Sequence, residues 1–484
     1  MSGTTMAARM SPADSILWRI ERDPILRSTV TAVSLLDRVP DWDRFRSRML
    51  EASERIPRMR HVVVEPPLGL GSPYWAVDEN FDLDYHLRRI QLPQPTSFGD
   101  VLDFAAREAM SGFDHARPLW VFTIVEQVGE GAVLVQKFHH AATDGLGGIR
   151  LALEILDTTR RVSHRVHRLE QLVTPAPRTR RVPGPLGRVA EVTLATARDL
   201  TAQATRVPIT VVEGAARLGR APLRSVEAAA DSLRWGARLL APVTTPLSSV
   251  MIGRSIGLSF GAFDVDLGRL HEAGRQAGGT LNDAFITAVG AGLRRYHEKQ
   301  GKPVERLRMT LPISIRREGD PVMVNRFVPV RFTVPLVPAD PALRIPAIAR
   351  LVREWRDGPA LGLSDALANL LNSLPTRAVT DVFASILRNV DFVATNVPGL
   401  PTPSYLAGAE LVRQYAFAPP SGSAVNVSLL SHVGHCCIGV NMDPAAVADP
   451  EGLVSSLEEG FEEVLSIAGP NEGTRPDVSE AGTG

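Results

Sequence analysis

Hydrophobic and polar positions along the chain switch between two periods, and the switches mark out elements. Thr29 to Leu36, His61 to Val64, Pro118 to Val128 and Ala132 to Phe138 are short runs of largely apolar, often β-branched residues, which predicts strands. Asp41 to Ala52 places Trp42, Phe45 and Leu50 at helical spacing, and Val101 to Met110 reads as a second helix. A further helix is expected to start at Pro12 behind Ser11, whose hydroxyl can cap the first turn. Residues 81 to 89, FDLDYHLRR, alternate apolar and polar positions. From Ala132 to Asp157 the pattern is strand, turn and helix: Gly145, Gly147 and Gly148 supply the turn, and Ile149 to Leu156 the helical spacing. Strands and helices alternate through residue 157, which predicts an α/β layer domain.

A second block of the same kind starts near Ile256. Residues 256 to 265, 307 to 316 and 325 to 336 predict strands, and 267 to 277, 341 to 356, 363 to 373, 376 to 388 and 450 to 467 predict helices. The strongest helical signal is 280 to 301, where Phe285, Val289, Leu293 and Tyr296 share one face. Residues 390 to 401 read as a strand running into a Pro-Gly turn, and 424 to 443 as a hairpin through Gly434. Between the blocks the composition turns basic and punctuated by proline, which predicts a connector. The expected organisation is therefore 1–159, a first domain; 160–254, a helical connector; 255–468, a second domain; and 469–484, a disordered tail. A length of 484 residues, beyond one ordinary core, agrees with two domains.

Charge sharpens the picture of the connector. The chain is formally neutral, yet residues 160 to 254 carry sixteen Arg and no Lys against six acidic residues, a net of +10. This stretch reads either as a helical connector with a solvated Arg face or as a basic amphipathic surface for anionic lipid. The two cysteines, Cys436 and Cys437, are adjacent and suggest neither a disulfide framework nor a metal knuckle. No apolar leader stands near Met1 and no run of 18 apolar residues occurs, so neither a secretory signal nor a transmembrane helix is expected.

The strongest chemical signal is HHAATDG, residues 139 to 145, at the predicted strand-to-helix junction. Neighbouring residues on a strand point to opposite faces, so His139 and His140 cannot both face one cavity. One is expected to act as a base and the other as a structural partner, imidazole being suited to taking a proton near neutral pH. Asp144 could orient a histidine or lock the loop through an arginine. A metal site needs more ligands than the pair supplies, and His432 and His435 lie in the predicted hairpin, so no metal is expected. Residues 253 to 257 match the G-x-S-x-G pattern, but prolines precede them and a strand follows, the wrong setting for a nucleophile elbow. GLGG at 145 to 148 lacks the third glycine of a dinucleotide fingerprint, because position 150 is Arg150.

Five motifs in order give the chain a resemblance. Pro118-Leu119-Trp120, Lys137 to Ala141 with Asp144-Gly145, Asn282-Asp283, Asn396-Val397-Pro398-Gly399 and FDLDYHLRR resemble segments of the bacterial wax ester synthase/diacylglycerol acyltransferase family, of the CoA-dependent acyltransferase superfamily. The resemblance runs from MSPAD near the N-terminus to the last helix; Val324, before Asn325-Arg326, departs from the glycine common in that family. It implies an α/β (α+β) fold of two chloramphenicol-acetyltransferase-like domains, with mixed sheets flanked by helices and a long connector. It also implies that His140 is the general base and Asp144 a loop anchor beside His139. Asn282, Asp283, Pro118, Leu119, Trp120, Gly145 and Ser428 would then contact or shape the substrate site, with Asn282 or Ser428 as candidate donors to an oxyanion.

The activity so implied is transfer of a long-chain acyl group from acyl-CoA, a co-substrate, to diacylglycerol or a long-chain alcohol. No acyl-enzyme, cofactor, metal or nucleic acid is expected. Partners would be acyl-CoA, a lipid alcohol and, peripherally, the inner membrane face or lipid droplets from the cytoplasmic side, by salt-sensitive attachment. The competing expectations are a carrier-protein-dependent condensation-type acyltransferase and a non-catalytic lipid-binding scaffold.

Overall fold

The structure, a computed structural model, describes residues 8–66, 69, 71–143, 145–161, 237–238, 240–316, 325–358, 368–369 and 371–469. Most of the expected connector, Asp144, Val324, much of the 363–373 helix and all but the first residue of the expected tail lie outside the described residues.

In the first half the elements run β1 (Ala8–Arg9), α1 (Pro12–Ile20), β2 (Thr29–Leu36), α2 (Trp42–Arg55), β3 (His61–Val64), β4 (Tyr74–Val77), α3 (Leu83–His86) and β5 (Leu87–Thr96). They continue with α4 (Phe98–Met110), β6 (Trp120–Val128), β7 (Gly131–His139), α5 (Gly145–Ile155) and β8 (Leu156–Asp157). The second half runs β9 (Ser259–Asp266), α6 (Leu267–Gln276), α7 (Leu281–Lys299), β10 (Arg306–Ser314), β11 (Phe327–Pro335), α8 (Pro341–Arg356), α9 (Thr376–Leu387) and β12 (Phe392–Val397). It ends with β13 (Tyr405–Leu406), β14 (Ala409–Phe417), β15 (Val425–His432), β16 (His435–Met442) and α10 (Pro450–Leu465).

Local chemistry sets several of these boundaries. Ser11 accepts the Asp14 N–H at 3.1 Å and Pro12 occupies the first turn, so α1 starts where the sequence places it. Thr280 and Asp283 form a reciprocal capping box that starts α7. Asp82 caps Asp84 and turns residues 83 to 86 into one helical turn, so the alternation read at 81 to 89 becomes a helix followed by β5. The three glycines read as a turn instead lie in the first turn of α5, which begins at Gly145.

Two mixed sheets carry the fold among the described residues. One has seven strands in the order β5-β6-β7-β2-β14-β13-β8, the other six in the order β11-β10-β12-β15-β16-β9. The pairs β5–β6, β10–β12 and β12–β15 are parallel and the remaining pairs of these sheets antiparallel. Strand alternation splits each sheet into two chemical faces. In the first sheet Trp120, Phe122, Ile124 and Leu134 pack under α2 and α5, while Val125, Val133 and Val135 meet α4 together with Phe260 and Phe417. In the second sheet Leu307, Met309, Leu311, Val427 and Leu429 pack under α7 and α10. The opposite face of that sheet, with Thr310, Pro312, Val393 and Thr395, is turned to a cavity.

The halves are stitched by an exchange that a linear division of the chain does not contain. Strands β13 and β14 belong to the 255–468 block by sequence, yet they pair with β8 and β2 in the first sheet. The Phe260 and Phe417 rings stack across the junction, 4.1 Å apart and within 6° of parallel. The chain re-enters the second half at residues 247 and 248, whose N–H groups donate to the buried Asp391 carboxylate at 3.0 Å.

Candidate active site

Strand β7 ends in the two histidines, and its alternation separates them. His139 keeps the face of Val133 and Val135 and is buried. Its Nδ1 accepts the Ala141 N–H at 3.0 Å, which leaves Nε2 to donate to the Glu21 carboxylate at the end of α1. Trp18 and Phe113 enclose the ring at 5.4 and 6.0 Å. His139 is thus the structural member of the pair, tying the turn after β7 to α1. Burial works to raise the Glu21 pKa, but the His139 ring, with Arg27 and His115, outweighs it and holds the carboxyl below its ordinary value.

A carboxyl whose folded pKa is depressed stabilises the fold while it is ionised, fully above 4.5 and progressively less as pH falls through the folded value. Glu21→Gln is therefore expected to lower the thermal midpoint at neutral pH, with the gap to wild type closing in acid. Paired melts at neutral pH and well below the glutamate range check this; a gap independent of pH would assign the loss to packing alone.

His140 takes the other side. It is half-buried, its N–H donates to Ser28 O at 2.7 Å, and its carbonyl accepts Asn325 Nδ2 at 2.8 Å. Its ring lies 5.5 Å from the Phe327 ring and lines a cavity of about 530 Å³ between the two halves, a size within the range of small-molecule sites. One arm of the cavity is apolar, with Ile16 and Ile20 of α1 facing Phe383 and Leu387 of α9. The lining also has polar residues, Ser314, Asn325, Arg326 and, from the NVPG motif, Asn396, and of these Asn325 contacts His140. Residues 418 to 421 and Ser423 close one side, and behind Pro419, Pro420 and Ser423 lies a narrow cleft beside Arg27, Met110 and Ser255. A larger open basin of about 710 Å³ holds Arg22, Asp23, Arg377 and Arg388 but no histidine. It is the smaller cavity that has a base in its wall.

Several expected site residues sit elsewhere. Trp120 is buried in the first core, stacked on His86 at 4.4 Å with its Nε1 donating to Met59 O. Leu119 packs with Ala141 and Ala142 and its carbonyl accepts the His139 N–H at 3.0 Å, so within Pro118-Leu119-Trp120 it is Leu119 that braces the histidine turn. Asn282 and Asp283 open α7, on the helix-covered side of the second sheet, where Asp283 is spent on the Thr280 cap. Ser428 donates to Asn426 Oδ1 at 3.2 Å, and Asn426 in turn donates to Pro419 O at 2.9 Å. Neither Asn282, Asp283 nor Ser428 lines the His140 cavity. The reason is one of layers: a helix start on one face of a sheet and a strand residue sealed by its neighbours both lie close in sequence order to motifs but off the cavity surface. Asp144 lies outside the described residues.

Other features resolve into packing. Lys137 is buried, its ammonium donating to Ser111 O at 2.9 Å and lying 4.6 Å from the Phe113 ring; burial lowers its pKa to about 8. Ser255 of the G-x-S-x-G match precedes β9 in irregular chain and donates to Asp443 at 2.6 Å, as expected of a chance match. No group of three metal-ligating side chains is gathered among the described residues. No described helix is long and apolar enough to cross a membrane.

Asn325, the NVPG segment, α1 and the 418–423 loop were missed as site residues by the sequence. Two of them carried a signal, since Asn325-Arg326 and Asn396 to Gly399 both stand out as motif positions.

Comparison with known proteins agrees with this architecture. Residues 10–285 match the model of the wax ester synthase/diacylglycerol acyltransferase catalytic domain, and residues 323–465 that family's C-terminal domain. A candidate diacylglycerol O-acyltransferase of Mycobacterium tuberculosis H37Rv is 35% identical over 476 residues, 96% of this chain and 93% of the relative. One of Mycobacterium bovis is 27% identical over 442 residues, 89% of this chain and 92% of the relative. Among solved structures, the wax ester synthase/diacylglycerol acyltransferase from Marinobacter aquaeolei VT8 superposes with a TM-score of 0.61 at 19% identity, covering 96% of this chain and all of that one. The first condensation domain of the calcium-dependent antibiotic synthetase superposes at 0.59 with 15% identity, covering 96% and 97% of the two chains. These likenesses show the fold, two chloramphenicol-acetyltransferase-like domains with mixed sheets flanked by helices. With both family models matched in order and a relative at 35% identity across nearly its whole length, the chain belongs to the wax ester synthase/diacylglycerol acyltransferase family.

Proposed function

We propose that the protein transfers a long-chain acyl group from acyl-CoA to a lipid alcohol, with diacylglycerol as the acceptor and triacylglycerol as the product. The observation that carries the reading is His140 in the wall of a largely apolar cavity between the two halves. The names of the M. tuberculosis and M. bovis relatives support the choice of acceptor.

In this reading His140 takes the proton of the acceptor hydroxyl as its oxygen attacks the thioester carbonyl. The tetrahedral intermediate collapses, the carbon–sulfur bond breaks, and His140 returns the proton to the CoA sulfur. No acyl-enzyme forms. The apolar arm between α1 and α9 would hold a hydrocarbon chain, and holding both reactants in one cavity supplies the proximity term.

The test supplies purified protein with labelled long-chain acyl-CoA and either diacylglycerol or a long-chain alcohol, and in a further arm an acyl-loaded carrier protein. Triacylglycerol formation exceeding wax ester formation is expected. Preference for the alcohol would reassign the acceptor, preference for the carrier protein would favour condensation-type chemistry, and vesicle binding without turnover would leave a lipid-binding scaffold.

A further inference from the structure

We propose that Asn325 is a positioning residue for His140: from the second half of the chain it grips the carbonyl of the base, with the buried Asp14 as its own anchor. The inference rests on the assignment of His140 as the base.

Asn325 stands just before β11 and is 1% exposed. Its Nδ2 donates two hydrogen bonds, to Asp14 Oδ1 at 2.6 Å and to His140 O at 2.8 Å. Its backbone N–H also donates to Asp14 Oδ1, at 3.2 Å. Both partners of Nδ2 are acceptors, so the amide cannot be turned around without facing oxygen to oxygen.

Asp14 sits in α1 with no exposed surface, and Arg58 lies 3.9 Å from its second oxygen. Burial raises the Asp14 pKa, opposed by Arg58 and by the bonds from Asn325 and Ser11. An unpaired carboxyl here would be costly, so the Asn325 donors are needed where they are.

The peptide at His140 is thus held from both halves. Ser28 O takes its N–H from the first half, and Asn325 takes its C=O from the second. Two residues beyond Asn325, Phe327 packs against the His140 ring. The same short stretch therefore forms the cavity wall and sets the backbone from which the base projects. Displacement of a base by a fraction of an ångström is felt in the chemical step rather than in substrate binding.

The two Nδ2 hydrogens separate gluing from positioning, because one reaches Asp14 and the other His140. Asn325→Asp loses both and sets two carboxylates together. Combining it with Asp14→Asn restores a donor–acceptor pair between the halves with its polarity reversed, but leaves the His140 carbonyl without the amide.

The double variant is expected to recover the thermal midpoint lost by Asn325→Asp, while its kcat stays about 10- to 100-fold below wild type with KM for acyl-CoA within about twofold. Recovery of kcat together with stability would reduce Asn325 to a docking contact and overturn the proposal. Asn325→Ala, assayed under conditions where it is folded, is expected to show the same loss of kcat. His140→Ala beside these variants separates the two levels. An inactive His140→Ala with a fully active Asn325→Ala sinks the positioning role alone, whereas a His140→Ala with wild-type turnover sinks the base assignment and the proposal with it.

Discussion

Replacing His140 with alanine is expected to reduce acyl transfer by about 10²- to 10⁴-fold, the range that a positioned general base contributes. The loss should fall on kcat. An alcohol oxygen is a poor nucleophile until its proton is taken, and the imidazole, the base of the proposed reaction, stands in the wall of the cavity where the two reactants would meet. The fold should survive the change. Two anchors of this residue are its backbone bonds to Ser28 and Asn325, which alanine retains, and the residue is only half-buried. CoA release with acyl-CoA and diacylglycerol, read beside a thermal melt, checks both parts. Turnover near the wild-type rate would remove His140 from its role, and a collapsed melt would make the variant uninformative about chemistry but diagnostic of a structural role.

The second large effect concerns stability. Gly439 in β16 lies where β14 crosses it, and a Cβ there would stand 2.1 Å from Ala416 O and 3.0 Å from its carbonyl carbon. Both obstacles are backbone, so no rotamer change relieves them. Strand β14 is also held in the other sheet by its pairing with β2, which prevents it from retreating freely. Gly439→Ala is therefore expected to cost about 2–3 kcal/mol, the upper part of the range for overpacking. Denaturant titration of both proteins measures it. Gly99→Ala serves as the control, since its new methyl meets only Ser97 Oγ at an ordinary 3.5 Å and glycine is a poor residue within a helix. Equal midpoints for Gly439→Ala and wild type would show that the two sheets can part at the crossing without penalty.

Much of the fold was legible because its signals are local. The Thr29–Leu36 and His61–Val64 strands, the Ser11 cap and the 281–299 helix depend on side-chain period and first-turn chemistry, which neighbouring residues supply. Phe285, Val289, Leu293 and Tyr296 are all buried on one helix face, as their spacing predicts. The 402–423 segment was illegible. AELVRQYAF mixes Glu, Arg and Gln with apolar residues, and it becomes β14 because β2, far away in sequence, offers an edge to pair with.

At the site, strand alternation alone required His139 and His140 to have unequal roles, and the motif resemblance picked His140 as the base. Only the tertiary structure showed what divides them: Glu21 of the first half takes the His139 ring, while Phe327 and Asn325 of the second half meet His140. The same distinction explains the Asn282-Asp283 pair, expected from its motif at the substrate site, whose separation from the cavity depends on which sheet face α7 covers. Sequence determined most of the elements, the histidine pair and the family resemblance, because period, capping and motif order act over a few residues at a time. The tertiary structure decided which face of each sheet meets the cavity and that a buried asparagine from the second half holds the His140 carbonyl of the first, because burial and long-range hydrogen bonds exist only once the two halves are packed together.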